Sequence, residues 1–214
     1  MSDAALRDAE QLVRTIADTA LENEKYFCEL DAVVGDGDFG YSLARGFGKV
    51  LDEWDGMEYD DVSGLLKKTA LVLSGRVGGA SGPIWGTAFL RAGVALKDSP
   101  EPSWDDAVAA LRAAIEGIKQ RGESDLGDKT LLDALIPATD RLEKEFAGGA
   151  GAADALAAAA ETARETADAT KGMLAKRGRA AYSGERSRES VDAGAIAVAV
   201  LFERVSAAWR PTTV

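Results

Sequence analysis

The chain has 214 residues, of which 36 are Asp or Glu, 25 are Lys or Arg and none is His, so its formal charge is −11. This length suits one domain over residues 1–214, and the acidic balance argues against nucleic acid as a partner, because such binding draws on Lys and Arg. No apolar run reaches the about 20 residues of a membrane span, and the single cysteine, Cys28, permits no internal disulfide, so we expect a cytoplasmic protein with no membrane contact.

Helical periodicity dominates the sequence. The clearest stripe begins at Trp104 and continues through Ile118 with apolar residues 4, 3, 4 and 3 apart, after a capping-box pair, Ser103 and Asp106. Gly and Pro then divide the chain into eight predicted helices, near 3–29, 41–55, 59–75, 82–97, 104–121, 129–146, 152–175 and 192–209. No convincing strand is found. Short connections make neighbouring helices antiparallel, so we expect an all-α, up-and-down helical bundle or closed barrel.

Three carboxylates and three glycines alternate between the first two predicted helices. We call residues 31–40, with the sequence DAVVGDGDFG, the acidic loop. If Asp31, Asp36 and Asp38 converge, they repel one another by several kcal/mol at an effective dielectric near 20, unless a cation lies among them. Mg²⁺ and Ca²⁺ prefer such oxygen ligands, but an EF-hand does not fit the spacing. The simpler alternative is a solvated acidic turn.

A second connection, residues 75–83, is rich in small residues and leads into a helix with Pro83 in its first turn. Free N–H groups at such a helix start attract phosphate, although a tight turn explains the glycines equally well. Neither a Walker-A motif nor a dinucleotide fingerprint is present. In the third connection, residues 122–131, Asp128 is predicted to cap a helix, and Lys129 and Thr130 are candidates to touch a nucleotide.

A fourth connection is basic. Residues 171–188, which we call the arginine segment, contain six basic side chains and one acidic side chain. Such a concentration of positive charge favours an anion such as a polyphosphate; the alternative is a flexible solvated loop. Because the four connections follow helices one, three, five and seven, an antiparallel array brings all of them to the same end. A single composite site is therefore expected there.

These segments resemble the nucleotide-binding (L-type) subunit or domain of the dihydroxyacetone kinase family. The resemblance rests on GDGDFG at 35–40, GGASGP at 78–83, GDKTLLDAL at 127–135 and GRAAYSGERS at 178–187, in the family's order. It implies an eight-helix antiparallel up-and-down barrel with ADP or ATP at one rim. It also implies a kinase subunit that transfers phosphate to a short ketose.

The resemblance further implies the roles of individual residues. Asp31, Asp36 and Asp38 would hold two Mg²⁺ ions and, with Arg179, act as catalytic residues. The implied nucleotide contacts are Phe39, Gly40, Tyr41 and Ser42 along the phosphates, Ala80 and Ser81 beside them, Gly122 and Leu131 at the adenine or ribose, and Arg179, Asp192, Ala193 and Gly194 closing the site. The chain differs from the family at three places: Phe39 replaces a His, Ser42-Leu43 replaces Asn-Met, and Ala193 replaces a Pro.

Partners follow from the same resemblance. The ketose would bind a histidine of a separate K subunit, since this chain has none. The phosphoryl donor is either free ATP or a phosphotransferase-system M subunit that rephosphorylates bound ADP, and a short chain without a fused ketose-binding half favours the second. A homodimer is also permitted. The alternatives are a non-catalytic nucleotide sensor that binds a transcription regulator and a helical scaffold without a ligand.

Overall fold

The computed structural model describes residues 3–76 and 81–210, and this part of the chain is helical, with no strand. Its α-helices are α1 (Asp3–Glu22), α2 (Glu24–Asp31), α3 (Phe39–Glu53), α4 (Val62–Arg76), α5 (Ser81–Ala95), α6 (Trp104–Gly122), α7 (Leu132–Ala147), α8 (Ala152–Ala169) and α9 (Ala193–Ala208). Two 3-10 segments, Trp54–Gly56 and Arg179–Glu189, complete the described elements. The predicted all-α class is confirmed.

The helices form a closed ring. Each helix from α3 to α9 packs against the next along the chain, and both α3 and α9 pack against α1. The first predicted helix is divided at Asn23, where the backbone leaves helical geometry (φ −105°, ψ 12°). The Asn23 N–H donates to the Thr19 carbonyl of α1 at 3.1 Å, and the Asn23 carbonyl accepts the Phe27 N–H of α2 at 2.9 Å, so Asn23 joins the two helices. Counting α1 and α2 as one bent rod, eight rods close a barrel.

Small side chains let the helices approach closely. On α8, Ala155, Ala159, Ala163 and Ala167 repeat every four residues and are fully buried. The first two turns of α9, residues 195–201, are likewise buried throughout. Such alanine faces bury little area per residue, but they bring backbones together without loss of side-chain entropy. They allow the last two helices to complete the ring.

Several predicted boundaries are displaced at the connections. The helix predicted from 129 begins at Leu132, and the helix predicted to reach 175 ends at Ala169. Backbone geometry explains both differences, because Lys129 has a φ of 62° and Gly172 a φ of 93°, values that an α-helix excludes. The capping box of Ser103 and Asp106 is confirmed at the start of α6.

Because successive rods of the barrel run in opposite directions, the connections after α2, α4, α6 and α8 lie at the same end of the barrel. We call this end the functional rim. At the opposite end, Trp104 stacks on Phe146 with ring centroids 5.1 Å apart, and Trp209 meets Trp104 edge-on at 5.4 Å. No helix in the described part of the chain is long and apolar enough to cross a membrane.

Candidate functional site

The three aspartates of the acidic loop meet at the functional rim. Asp31 ends α2, Asp36 lies in the following turn, and Asp38 immediately precedes α3. One carboxylate oxygen from each lies within 4.8 Å of the other two. Asp31 is half-buried, whereas Asp36 and Asp38 are exposed. The predicted convergence is confirmed, and a cluster of three like charges is ready to accept positive charge.

Glycines make this convergence sterically possible. The Asp31 carboxylate accepts a hydrogen bond from the Gly37 N–H at 2.8 Å, and its carbonyl accepts one from the Gly35 N–H at 2.6 Å. A Cβ at Gly35 would overlap the Asp31 side chain. Gly37 has a φ of 76°, in the left-handed region that favours glycine. The turn thus folds back on Asp31 and fixes its carboxylate beside the other two.

The start of α3 lies directly beside the carboxylates. Asp38 occupies the N-cap position, but its side chain makes no capping hydrogen bond, so its carboxylate is left for another partner. A Cβ at Gly40 would overlap the Glu24 carbonyl, because the first turn of α3 is pressed against α2. The Tyr41 N–H donates to the Cys28 sulfur at 3.2 Å. Helix N-termini of this kind attract phosphate groups.

Phe39, the residue that stands where the resembled family has a histidine, faces inward. Its ring packs against that of Phe27, with centroids 6.1 Å apart. Two residues further into the predicted phosphate-binding stretch, Tyr41 is exposed and Ser42 is buried. At Phe39, therefore, the backbone rather than the side chain is the part available to a ligand.

The arginine segment lies across the acidic loop. Arg179 forms an ion pair with Asp36, and its guanidinium is 3.5 Å from the Asp38 carboxylate. Nearby, the Ser183 hydroxyl donates to the Val34 carbonyl at 3.0 Å. A guanidinium thus compensates part of the triad's negative charge. Three hard oxygen donors with excess negative charge fit a divalent cation such as Mg²⁺, which the residues of this rim could hold.

The third connection is joined to the same segment. The Lys176 ammonium binds the Asp128 carboxylate at 3.0 Å, and the Arg177 guanidinium lies 3.6 Å from it. Burial alone would raise the pKa of Asp128, but the hydrogen bonds from Lys176 and from the Asp125 N–H, with the charge of Arg177, lower it overall. The prediction that Asp128 caps a helix is wrong, because α7 begins four residues later.

Asp133 organises the start of α7 instead. Its carboxylate accepts hydrogen bonds from the backbone N–H groups of Gly127 (2.6 Å) and Thr130 (2.7 Å). The Thr130 hydroxyl in turn accepts the Leu132 N–H at 3.2 Å. Sequence reasoning missed Asp133, although the spacing Thr130-x-x-Asp133 is a helix-start signal that could have identified it.

Lys129 is not a nucleotide contact, so that prediction is wrong. Its side chain is buried, with the residue only 2% exposed. Its ammonium donates to the carbonyls of Thr170 at 2.8 Å and Ser190 at 2.6 Å. Burial lowers the pKa of Lys129, and the nearby carboxylate of Asp192 opposes that shift.

The remaining predicted nucleotide contacts lie around the same rim. Gly122 ends α6, where a Cβ would meet the Ile84 side chain of α5, and a Cβ at Gly194 would lie 3.4 Å from the Leu131 Cβ. Ala193 begins α9, after Asp192 at the N-cap. Ala80 and the side chain of Ser81 lie outside the described residues. Contact of these residues with a nucleotide stays a prediction.

Asp192 caps the last helix with a carboxyl that is packed among protein atoms. It caps α9 by accepting the Ala195 N–H at 2.7 Å. Burial raises the pKa of Asp192 to about 7, although the Ala195 hydrogen bond and the charge of Lys129 oppose the shift; the charge of Asp133 adds to it. The residue keeps some accessible surface, but the pKa responds to the protein atoms packed around the carboxyl itself.

The fold and the site define a class: closed all-helical barrels with an acidic, cation-accepting rim under an arginine. The family model of the DAK2 domain matches residues 33–207, and the chain belongs to this family.

Curated relatives agree with this membership. The chain is 34% identical over 184 residues to the ADP-binding subunit DhaL of the PEP-dependent dihydroxyacetone kinase of Escherichia coli, covering 86% of this chain and 88% of the relative. It is 34% identical over 182 residues to the ADP-binding subunit of a PTS-dependent dihydroxyacetone kinase of Lactococcus lactis, covering 85% and 86%. An L-erythrulose kinase of Pectobacterium atrosepticum is 35% identical over 214 residues, which is 99% of this chain but 36% of that one.

Solved structures give the same result for the fold. The dihydroxyacetone kinase of C. freundii in its native form superposes with a TM-score of 0.75 at 25% identity, over 97% of this chain and 35% of that chain. The same enzyme in complex with AMP-PNP and Mg²⁺ gives a TM-score of 0.74. This chain therefore spans about a third of the C. freundii protein.

Proposed function

We propose that this chain is the nucleotide-binding subunit of a kinase that phosphorylates a short ketose such as dihydroxyacetone. The observation that carries the proposal is the convergence of Asp31, Asp36 and Asp38 beside the start of α3 and under Arg179. The relatives named as ADP-binding subunits support it, since each spans nearly the same length. The proposal includes one domain over residues 1–214.

The three aspartates would hold Mg²⁺ against the nucleotide phosphates. When bound, Mg²⁺ would neutralise phosphate charge and orient the terminal phosphoryl group. We propose two ions, because three carboxylates and a triphosphate together carry about seven negative charges, of which a single ion offsets two. The C. freundii enzyme has been solved in complex with AMP-PNP and Mg²⁺, which supports the choice of metal.

Arg179 would act on the transferring group. Its guanidinium already lies between two of the carboxylates, so it is within reach of a phosphoryl group held beside them. A guanidinium offers paired N–H donors to phosphoryl oxygens and stabilises the charge that develops there. Arg179 would therefore leave the carboxylates when cations and phosphates arrive.

The nucleotide would extend around the rim from the metal site. We propose that its phosphates follow the first turn of α3, that Ala80 and Ser81 contact the phosphates as well, and that the Asp192–Gly194 turn closes the site. Gly122, Thr130 and Leu131 would border the adenine or ribose.

Two further subunits complete the proposed reaction. A K subunit would hold the ketose, since this chain has no histidine to bind it. An M subunit of the phosphotransferase system would rephosphorylate the bound ADP, as the PEP- and PTS-dependent relatives suggest. Cytoplasmic location and a homodimer belong to the same proposal. ADP that stays with the protein through desalting would support the M-subunit route, and rapid exchange with added ATP would contradict it.

The decisive test is Asp36→Ala. ADP affinity is measured by calorimetry with and without Mg²⁺, and we expect a loss of at least about 100-fold in the Mg²⁺-dependent part, because the variant loses a metal ligand. Asp60→Ala is the matched control, since Asp60 is an exposed aspartate before α4, at the opposite end of the barrel. An unchanged affinity in Asp36→Ala would refute the proposed site.

A non-catalytic nucleotide sensor is the second candidate. The observation in its favour is the inward packing of Phe39 against Phe27, where the resembled family has a histidine. Supplying a K subunit and a phosphoryl donor distinguishes the two: tight ADP binding without formation of ketose phosphate would favour the sensor.

A further inference from the structure

A buried lysine lies beneath the arginine segment, and the proposed function assigns no role to it. Lys129 has a φ of 62° in the connection between α6 and α7, a left-handed backbone conformation that is unfavourable for a non-glycine residue. Its ammonium is removed from water, which is also unfavourable unless polar partners replace the solvent. Because both the backbone conformation and the burial of Lys129 are unfavourable, we infer that the contacts of its ammonium compensate for them.

Those contacts join the two ends of the arginine segment. The Lys129 ammonium donates to the carbonyl of Thr170, immediately before residues 171–188, and to that of Ser190, two residues after them. Between these points the Gly172 N–H donates to the Arg188 carbonyl at 3.0 Å. The Thr170 hydroxyl accepts the Asp192 N–H at 2.8 Å. The segment therefore leaves and rejoins the barrel through a narrow neck, and one ammonium binds both sides of it.

The other side-chain ties of the segment to its surroundings are more exposed than those of Lys129. One of them is the bond from the half-buried Ser183 hydroxyl to the Val34 carbonyl of the acidic loop, at 3.0 Å. Lys176 and Arg177 hold Asp128 through side chains that are 56% and 46% exposed, and exposed ion pairs contribute little. Arg179 holds Asp36 and Asp38, but these carboxylates are the proposed cation ligands. When cations bind there, this tie is lost. The buried bonds of Lys129 do not depend on the state of the acidic loop.

We propose that Lys129 is a positioning residue for Arg179: it fixes both ends of the arginine segment to the α6–α7 connection, so that the segment stays over the acidic loop when Arg179 leaves the carboxylates. The choice of ligand for Arg179 rests on the proposed function. The anchoring itself rests only on the contacts of Lys129.

The first test measures anchoring alone. Lys129→Met keeps an unbranched side chain of nearly the same length and removes its charge and its donors. Amide hydrogen exchange should rise at least about tenfold in residues 171–188, with little change in α5, because the neck opens locally. Asp128→Asn is the matched control, since it weakens the exposed tie to Lys176 and Arg177 and leaves the bonds of Lys129 in place. Its exchange in residues 171–188 should stay within about twofold of the wild type.

Lys129→Arg should restore slow exchange in part, because it keeps the positive charge and the donors. Unchanged exchange in Lys129→Met, or a rise spread evenly over all helices, would overturn the proposal. If Lys129→Met does not fold, Lys129→Gln is measured in its place and judged by the same two outcomes, because its shorter, uncharged side chain cannot bond the Thr170 and Ser190 carbonyls as the ammonium does.

The second test asks whether Lys129 acts through Arg179. Mg²⁺-dependent ADP affinity is measured for Lys129→Met, Arg179→Ala and the double variant. We expect Lys129→Met to weaken binding about fivefold in the wild type and hardly at all beside Arg179→Ala, because the residue that it positions is then absent. Equal losses in both backgrounds would contradict positioning. If wild-type protein binds no ADP, the proposed function fails, and the exchange experiment still decides the anchoring.

Discussion

The two ends of the barrel differ in the interactions that their residues make. At the end opposite the functional rim, three aromatic rings, Trp104, Phe146 and Trp209, pack together, and Ser103 and Asp106 cap α6 reciprocally. Each of these interactions lowers the free energy of the folded state without needing a ligand. Aromatic burial and helix capping are ordinary sources of stability.

The functional rim instead collects unfavourable features. Its three carboxylates repel one another, Lys129 is buried as a cation, and burial raises the pKa of Asp192 to about 7. The non-glycine residues with positive φ in the described part of the chain, Glu123 and Lys129, both lie in the α6–α7 connection. One end thus stabilises the barrel, and the other concentrates charge repulsion and backbone strain.

The largest effect that separates the two ends is expected for Trp209→Ala. Trp209 is only 7% exposed, and truncating a buried tryptophan costs about 3–5 kcal/mol. Urea unfolding should report this loss, while ADP affinity at the opposite rim stays unchanged. Trp209→Phe, which keeps most of the apolar volume, should lose much less. A parallel loss of ADP affinity in folded Trp209→Ala would show that the two ends are coupled.

A pH-dependent effect is expected for Asp192→Asn at the functional rim. Because the pKa of Asp192 is about 7 in the folded state and near 4 when unfolded, unfolding releases a proton between these values, and the wild type loses stability as the pH rises from about 4 to 7. Asn can still cap α9 but does not titrate.

Unfolding free energies of the wild type and Asp192→Asn should therefore diverge by about 1–3 kcal/mol between pH 5 and pH 8, in favour of the variant. The facing groups are Lys129 and Asp133, and both are present in the two proteins. A difference that stays constant with pH would contradict burial of the Asp192 carboxyl.

A smaller effect on binding is expected for Gly35→Ala. Its Cβ would overlap the Asp31 side chain and displace that carboxylate from the triad. We expect Mg²⁺-dependent ADP affinity to fall about five- to tenfold, or about 1 kcal/mol, with little change in thermal stability. Gly56→Ala is the control, because no atom lies within 4 Å of its added Cβ. Equal affinities in the two variants would mean that the Asp31 position is not critical.

The sequence was sufficient for the features that depend on local pattern. Apolar spacing identified the helices, and the Ser103–Asp106 pair marked the start of α6 correctly. Since alternate connections of an antiparallel array lie at the same end, the acidic loop and the arginine segment were predicted at one end of the barrel. The contact of Arg179 with Asp36 and Asp38 agrees with this prediction. The break at Asn23 was missed, because no Gly or Pro marks it.

The amino-acid sequence by itself determined the helical class, the antiparallel order of the helices and the carboxylate cluster, since each follows from periodicity, short connections or glycine-spaced charges within a few residues. Only the tertiary structure decided what the charged groups of the other connections do. Lys129 and Asp128 are adjacent in sequence, yet one is buried against Thr170 and Ser190 and the other binds Lys176 at the surface. Their partners lie about 40 to 60 residues away along the chain, and contacts between residues so far apart produce no local pattern in the sequence.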